Sequence, residues 1–224
     1  MISEEQAVQM EKLGKEILKI SRNELYLSMR YLDVALSSLR FQMDVEIGSS
    51  GTDGQFLYFH PGWLGGIYKK DRKILNRTYL HIVLHCLFGH LFLRGKRKKE
   101  LWDLACNIAV ESIIDSLRYS CVRRAPSWLR KEVYRRLGKE TNVLTAQKIY
   151  RCLESWQLDE KRCVEMEREF ASDSHLYWPQ PEEKKRKPNN VENNWKQISE
   201  KMELNLDTFA KEEADASGNL LEGT

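Results

Sequence analysis

The chain has 224 residues, of which 42% are hydrophobic and 31% charged, and a net charge of +3. That length suggests one domain, or one domain with appendages, with enough apolar material for a core. The charge density argues against a membrane-embedded chain, and the small net charge gives no case for nucleic acid.

The basic runs Lys96-Arg97-Lys98-Lys99 and Lys184-Lys185-Arg186-Lys187 read as solvated loops. Five cysteines occur without a C-x-x-C pair, and an odd number cannot all pair within one chain. All five are expected to be reduced, which points to a cytoplasmic protein. The first twenty residues contain no apolar segment of the signal-peptide kind, and no apolar run approaches a membrane span.

Taken in chain order, residues 3–20 and 23–39 read as two amphipathic helices. In the second, Leu25, Met29, Leu32, Ala35, Leu36 and Leu39 recur at helical spacing. The period then changes. Met43, Val45 and Ile47 alternate with polar residues, GSSGTDG follows at 48–54, and Phe56 and Tyr58 come next, which predicts a β-hairpin over about 43–59. His60-Pro61-Gly62 ends it, His60 reads as a surface residue, and Gly65-Gly66 reads as a loop. Two long helices are expected at about 71–93 and 98–118, antiparallel because their connection is short. Three more helical patterns lie near 127–137, 145–156 and 159–171, the middle one capped by Thr145. Residues 172–192 are polar and Pro-containing and read as a linker. A last helix is expected at about 193–212, before a frayed tail at 213–224. The predicted fold is therefore mainly α with one small hairpin, in a domain spanning residues 1–171.

The two long helices carry the chemistry. The first is apolar almost all round, yet it contains His81 and His85 one turn apart on one face. The second is equally apolar, and its polar residues Asp103, Asn107, Glu111 and Asp115 recur at every fourth position. A buried carboxylate stripe is costly without partners, and the histidine stripe on the neighbouring helix is the nearest candidate. The two stripes fit a shared metal ion, or equally histidine–carboxylate hydrogen bonds across the interface. His90 lies five residues after His85, so it reaches the site only if Gly89 ends the helix. Asp173 and His175 could reach in from the linker or stay on the surface.

These residues resemble a known family. The hairpin, the Phe59-His60-Pro61-Gly62 turn, the segment Tyr79-Leu80-His81-Ile82-Val83-Leu84-His85-Cys86, and the segment Leu101-Trp102-Asp103-Leu104-Ala105-Cys106-Asn107-Ile108-Ala109-Val110-Glu111 carry the likeness. Asp173-Ser174-His175 and Trp178 add to it. The family is the zincin-like metallopeptidase domain found N-terminal to von Willebrand A-like domains in bacteria. The resemblance implies a zinc ion held by His81 and His85, with Glu111 as third ligand, or else the position of Asn107, and Asp115 behind a ligand histidine. It also implies work beside a MoxR-class AAA ATPase. Two departures stand out. Ile82 occupies the place of the catalytic glutamate of His-Glu-x-x-His, so the usual general base is missing. Either another acid such as Asp103 substitutes, or the site binds metal without proteolysis. The Asp-x-Ser-x-Ser signature of the von Willebrand A-like domain is also missing, so a shortened form of that architecture is expected.

Overall fold

Ser3 starts the first helix. Its hydroxyl accepts from the Gln6 backbone N–H, and the Gln6 side chain accepts from the Ser3 N–H. The computed structural model describes residues 3–180 and 190–203, and in it α1 runs unbroken over Glu4–Ser28. The break expected near residue 21 does not occur. Ser21 is a buried contact, its hydroxyl donating to Asn76 Oδ1 at 2.7 Å. The helix breaks at Met29 instead, and a 3-10 turn at Arg30–Leu32 leads into the short α2, Asp33–Ser37. Leu25, Met29, Leu32, Ala35, Leu36 and Leu39 are all buried, as their spacing required.

The sheet has three strands: β1 (Arg40–Met43), β2 (Ser50–Thr52) and β3 (Phe56–Phe59), in the order β1-β3-β2. β2 and β3 form an antiparallel hairpin, and β1 pairs parallel with β3. The hairpin turn falls later than its sequence suggested. Asp53 makes it by accepting from the Gln55 and Phe56 N–H groups, with Gly54 at φ +91°. Ser50-Gly51-Thr52, expected as turn, is a fully buried strand.

His60 caps α3 (Pro61–Lys70), its Nδ1 accepting from the Trp63 N–H, with Pro61 in the first turn. The Pro-Gly and Gly-Gly pairs therefore lie in a helix rather than a loop. Asp71 caps α4 (Arg72–Leu87), in which every residue from Leu75 to Cys86 is buried. Next come α5 (Lys99–Ser116), α6 (Trp128–Glu140), α7 (Ala146–Trp156) and α8 (Glu160–Phe170). Thr145 caps α7 as expected. α1 and α3 pack on α4, while α7 and α8 pack on α5, so the α4–α5 pair is enclosed. Residues 190–203 form the last described helix, anchored by Trp195, whose indole N–H donates to the Gly54 carbonyl at 2.7 Å. The remainder of the helix expected over 193–212, and the tail at 213–224, lie outside the described residues. All five cysteines are free, and no described helix is long and apolar enough to cross a membrane.

Candidate metal centre

The α4–α5 interface carries polar pairs in antiparallel order. Arg77 meets Glu111 and Asp115, His81 meets Glu111 and Asn107, and His85 meets Asn107. The Arg77 NH2 group donates to Glu111 Oε2 and to Asp115 Oδ1, each at 2.6 Å. Arg130 of α6 donates through NH1 to the same two carboxylates. Tyr134 donates to Asp115 at 2.8 Å, and Ser172 donates to Glu111 at 3.2 Å. Two carboxylates and two guanidiniums thus balance in a site where Glu111 has no solvent exposure. Burial alone would raise the Glu111 pKa. His81, Arg77 and Arg130 outweigh that and hold the carboxyl well below its usual range.

An ionised Glu111 fixes the tautomer of His81. Its Oε1 lies 2.8 Å from His81 Nδ1, so Nδ1 carries the hydrogen and Nε2 points away from Glu111. His85 is held in the same sense from its other side. Helix α4 ends at Leu87, Gly89 takes φ +64°, and His90 folds back until its Nδ1 is 2.9 Å from His85 Nδ1. Burial pushes His90 down to about 3, so it is neutral and can accept. We assign the proton to His85 Nδ1, which leaves His85 Nε2 as a free lone pair. The two Nε2 atoms then face each other at 2.8 Å, with Asn107 Oδ1 3.1 Å from each.

Asp173 completes the cluster. Its Oδ1 lies 3.4 Å from His81 Nε2, 3.9 Å from His85 Nε2 and 3.3 Å from His175 Nε2. Both Asp173 oxygens and His175 Nε2 are buried without a hydrogen-bond partner. Ring nitrogens and carboxylate oxygens converging in this way repel one another unless a cation stands between them. A proton on His81 is one answer. Burial opposes that charge, but Asp173 and Glu111 outweigh it and lift His81 to about 9. A metal ion is the other, and His81, His85 and Asp173 offer ligand atoms within 4.8 Å of one another. The donor set fits a metal ion.

The segment carrying Asp173 is no linker at this point. The Ser174 N–H donates to the Ser50 carbonyl at 2.7 Å, which docks the segment against β2. Gly51 permits this approach, because a Cβ there would overlap the Ser174 carbonyl. His175 stacks on Trp178 at 3.5 Å, and both rings lie edge-on to His85. Asp103 Oδ1 sits 3.4 Å from His175 Nδ1, while its Oδ2 accepts from Lys99 at 2.7 Å.

The expected site residues therefore take different stations. His81 and His85 converge as their spacing implied. Glu111, expected as third ligand, lies behind His81 with its other oxygen committed to two arginines, and Asp173 is the carboxylate grouped with His81 and His85. Asp115, expected behind a histidine, is one layer further back on Arg77, Arg130 and Tyr134. Asn107 touches both histidines, His90 supports His85, and Asp103 supports His175. Ile82 is fully buried. Sequence reasoning missed Arg77 and Arg130. Arg77 was visible in principle, since it precedes His81 by four residues on the same helix face. Arg130 had no local signal.

The fold and site together define a helical domain with a buried histidine–carboxylate centre suited to a metal ion. The chain belongs to the family described as a putative metallopeptidase domain, whose model matches residues 16–216. No curated protein and no solved structure matches it.

Proposed function

We propose that this protein binds one zinc ion through His81 Nε2, His85 Nε2 and Asp173, and that it does not hydrolyse peptides by the glutamate-base mechanism. The observation that carries the reading is the convergence of the two Nε2 atoms on an Asp173 carboxylate with no hydrogen-bond partner. Two imidazoles and a carboxylate are a zinc-type donor set. Such an ion supplies Lewis acidity and an acidified bound water. Around it, Glu111 and His90 hold the two histidines in the tautomer that leaves Nε2 free, and the His175–Trp178 stack excludes solvent. Ile82 offers no proton acceptor. A cavity of about 700 Å³ between α5 and the α6–α7 connection is lined by His90 and Tyr134 but by none of the three ligands. That arrangement favours a structural or regulatory metal over a catalytic one.

A second reading has its own observation. Asp103 orients His175, whose Nε2 faces Asp173 unpartnered, so His175 could act as a base in place of the missing glutamate. Zinc titration of the purified chain against a chromophoric chelator tests the first reading. One equivalent should bind to the wild type and none to a His81→Ala/His85→Ala double variant. A wild type that binds no metal removes the reading. Zinc-dependent peptide cleavage lost in His175→Gln, with zinc retained, would favour the second.

A further inference from the structure

We infer that Arg130 is a positioning residue for the metal centre: it fixes the end of α8 against α5 so that Asp173 arrives at His81 and His85. The inference rests on the metal-binding reading above. The ligands come from distant parts of the chain, two from α4 and one from the segment after α8. Something must set the distance between these parts. Arg130 is 1% exposed and lies between them. Toward α5, its NH1 group donates to Glu111 and to Asp115 Oδ2. Toward α8, its Nε donates to Glu169 Oε1 at 2.7 Å and its NH2 to the Glu169 backbone carbonyl at 2.6 Å.

That carbonyl is in the last turn of α8, where carbonyls have no partner within the helix. The guanidinium supplies one and fixes the helix end. Its carbon lies 4.9 Å from the centre of the Phe170 ring, which holds the next residue as well. Asp173 follows Glu169 by four residues. On its far side Ser174 is hydrogen-bonded to Ser50. Asp173 is therefore pinned between the Arg130 clamp and β2, while its own oxygens make no hydrogen bond that could place them. Ser172 closes the loop by donating to Glu111, the same carboxylate that orients His81. One guanidinium thus serves both groups of ligands. Its planar fork can span four acceptors on two elements, which a lysine ammonium cannot.

The test measures zinc affinity by chelator competition and the visible spectrum of the cobalt-substituted protein. The chains compared are wild type, Arg130→Met, Arg130→Lys, Glu169→Ala and Val133→Ala. Arg130→Met should weaken zinc binding by about 10–100-fold, the range for residues supporting ligands, and should alter the cobalt bands. Arg130→Lys should recover part of that loss. Glu169→Ala keeps the α5 side intact and should give a smaller loss in the same direction. It also keeps the inference testable if Arg130→Met does not fold. Val133→Ala removes a buried methyl pair from α6 and should lower the melting temperature without changing zinc affinity. Wild-type affinity and spectrum in both Glu169→Ala and a folded Arg130 variant would overturn the inference. Absence of zinc binding in the wild type would instead overturn the reading beneath it.

Discussion

Two residues decide what this centre can do. Ile82 directly follows His81, where a metallopeptidase of the His-Glu-x-x-His type places its base. Its side chain is fully buried in hydrocarbon. Ile82→Glu is therefore expected to cost stability, about 2–4 kcal/mol, rather than to create hydrolysis, because the carboxyl would be buried without a partner. Urea denaturation of the variant checks the cost, and a variant as stable as wild type with new zinc-dependent cleavage would contradict it. His81 contributes to the pH response of the metal-free chain. Burial opposes its charge, yet Asp173 and Glu111 raise its pKa from 6.5 to about 9. The folded value lies above the unfolded one, so protonated His81 contributes stability in full below pH 6.5, and that contribution is lost as pH rises through 9. Zinc must displace that proton, so apparent zinc affinity should rise by up to about tenfold per pH unit between pH 6.5 and 8.5. Titrations at three pH values in that window test the slope, and a flat profile would show His81 to be neutral before metal arrives.

At the scale of elements, β2 is the unexpected part. Its Ser50-Gly51-Thr52 run looks like a turn because Gly and Ser favour turns, but the turn is made by Asp53 and Gly54. The glycine at position 51 is needed because the Ser174 backbone lies against it. Gly51→Ala should push the 172–178 segment outward, carrying Asp173 away from the histidines. We expect a stability loss of about 1–3 kcal/mol from overpacking, together with at least a tenfold loss of zinc affinity. Thermal denaturation and chelator competition read the two effects separately. A stable Gly51→Ala chain with unchanged affinity would mean that the segment is not held by β2. The break expected in α1 near residue 21, which does not occur, teaches a related point. Ser21 interrupts an apolar pattern, but it does so to reach Asn76, whose amide in turn donates to Glu24 at 2.7 Å.

For the whole molecule, the metal reading has a direct thermodynamic consequence. An ion bridging α4 and the segment after α8 joins parts of the chain that lie far apart in sequence, and it binds the folded state in preference to the unfolded one. At about a hundredfold excess over the dissociation constant, such binding adds about 2.7 kcal/mol of stability. The melting temperature should therefore rise with added zinc and fall in chelator, and the difference should vanish in Asp173→Ala. Equal melting curves with zinc and with chelator would be inconsistent with a bridging ion.

The sequence by itself determined the helical architecture and half of the centre. Helical periodicity put Leu25, Met29, Leu32, Ala35, Leu36 and Leu39 in the core, and all of them are there. The four-residue spacing of His81 and His85, and of Asp103, Asn107, Glu111 and Asp115, placed two polar stripes on facing helices. Local periodicity suffices for this, because residues on one helix face are fixed relative to one another by the backbone alone. Which atom of which stripe meets which could not be read in the same way. Glu111 was expected on the histidines as a ligand, but Arg77 and Arg130 claim its second oxygen and leave its first for His81 Nδ1. Asp173 reads as part of a polar linker, because its company of Ser, His, Pro and Gln is that of a loop. The docking of Ser174 on Ser50 and the reach of Arg130 to Glu169 help to bring it to the site. Those contacts join residues more than a hundred positions apart in one case and about forty in the other. No local pattern encodes such distances, and so only the tertiary structure shows Asp173 beside His81 and His85.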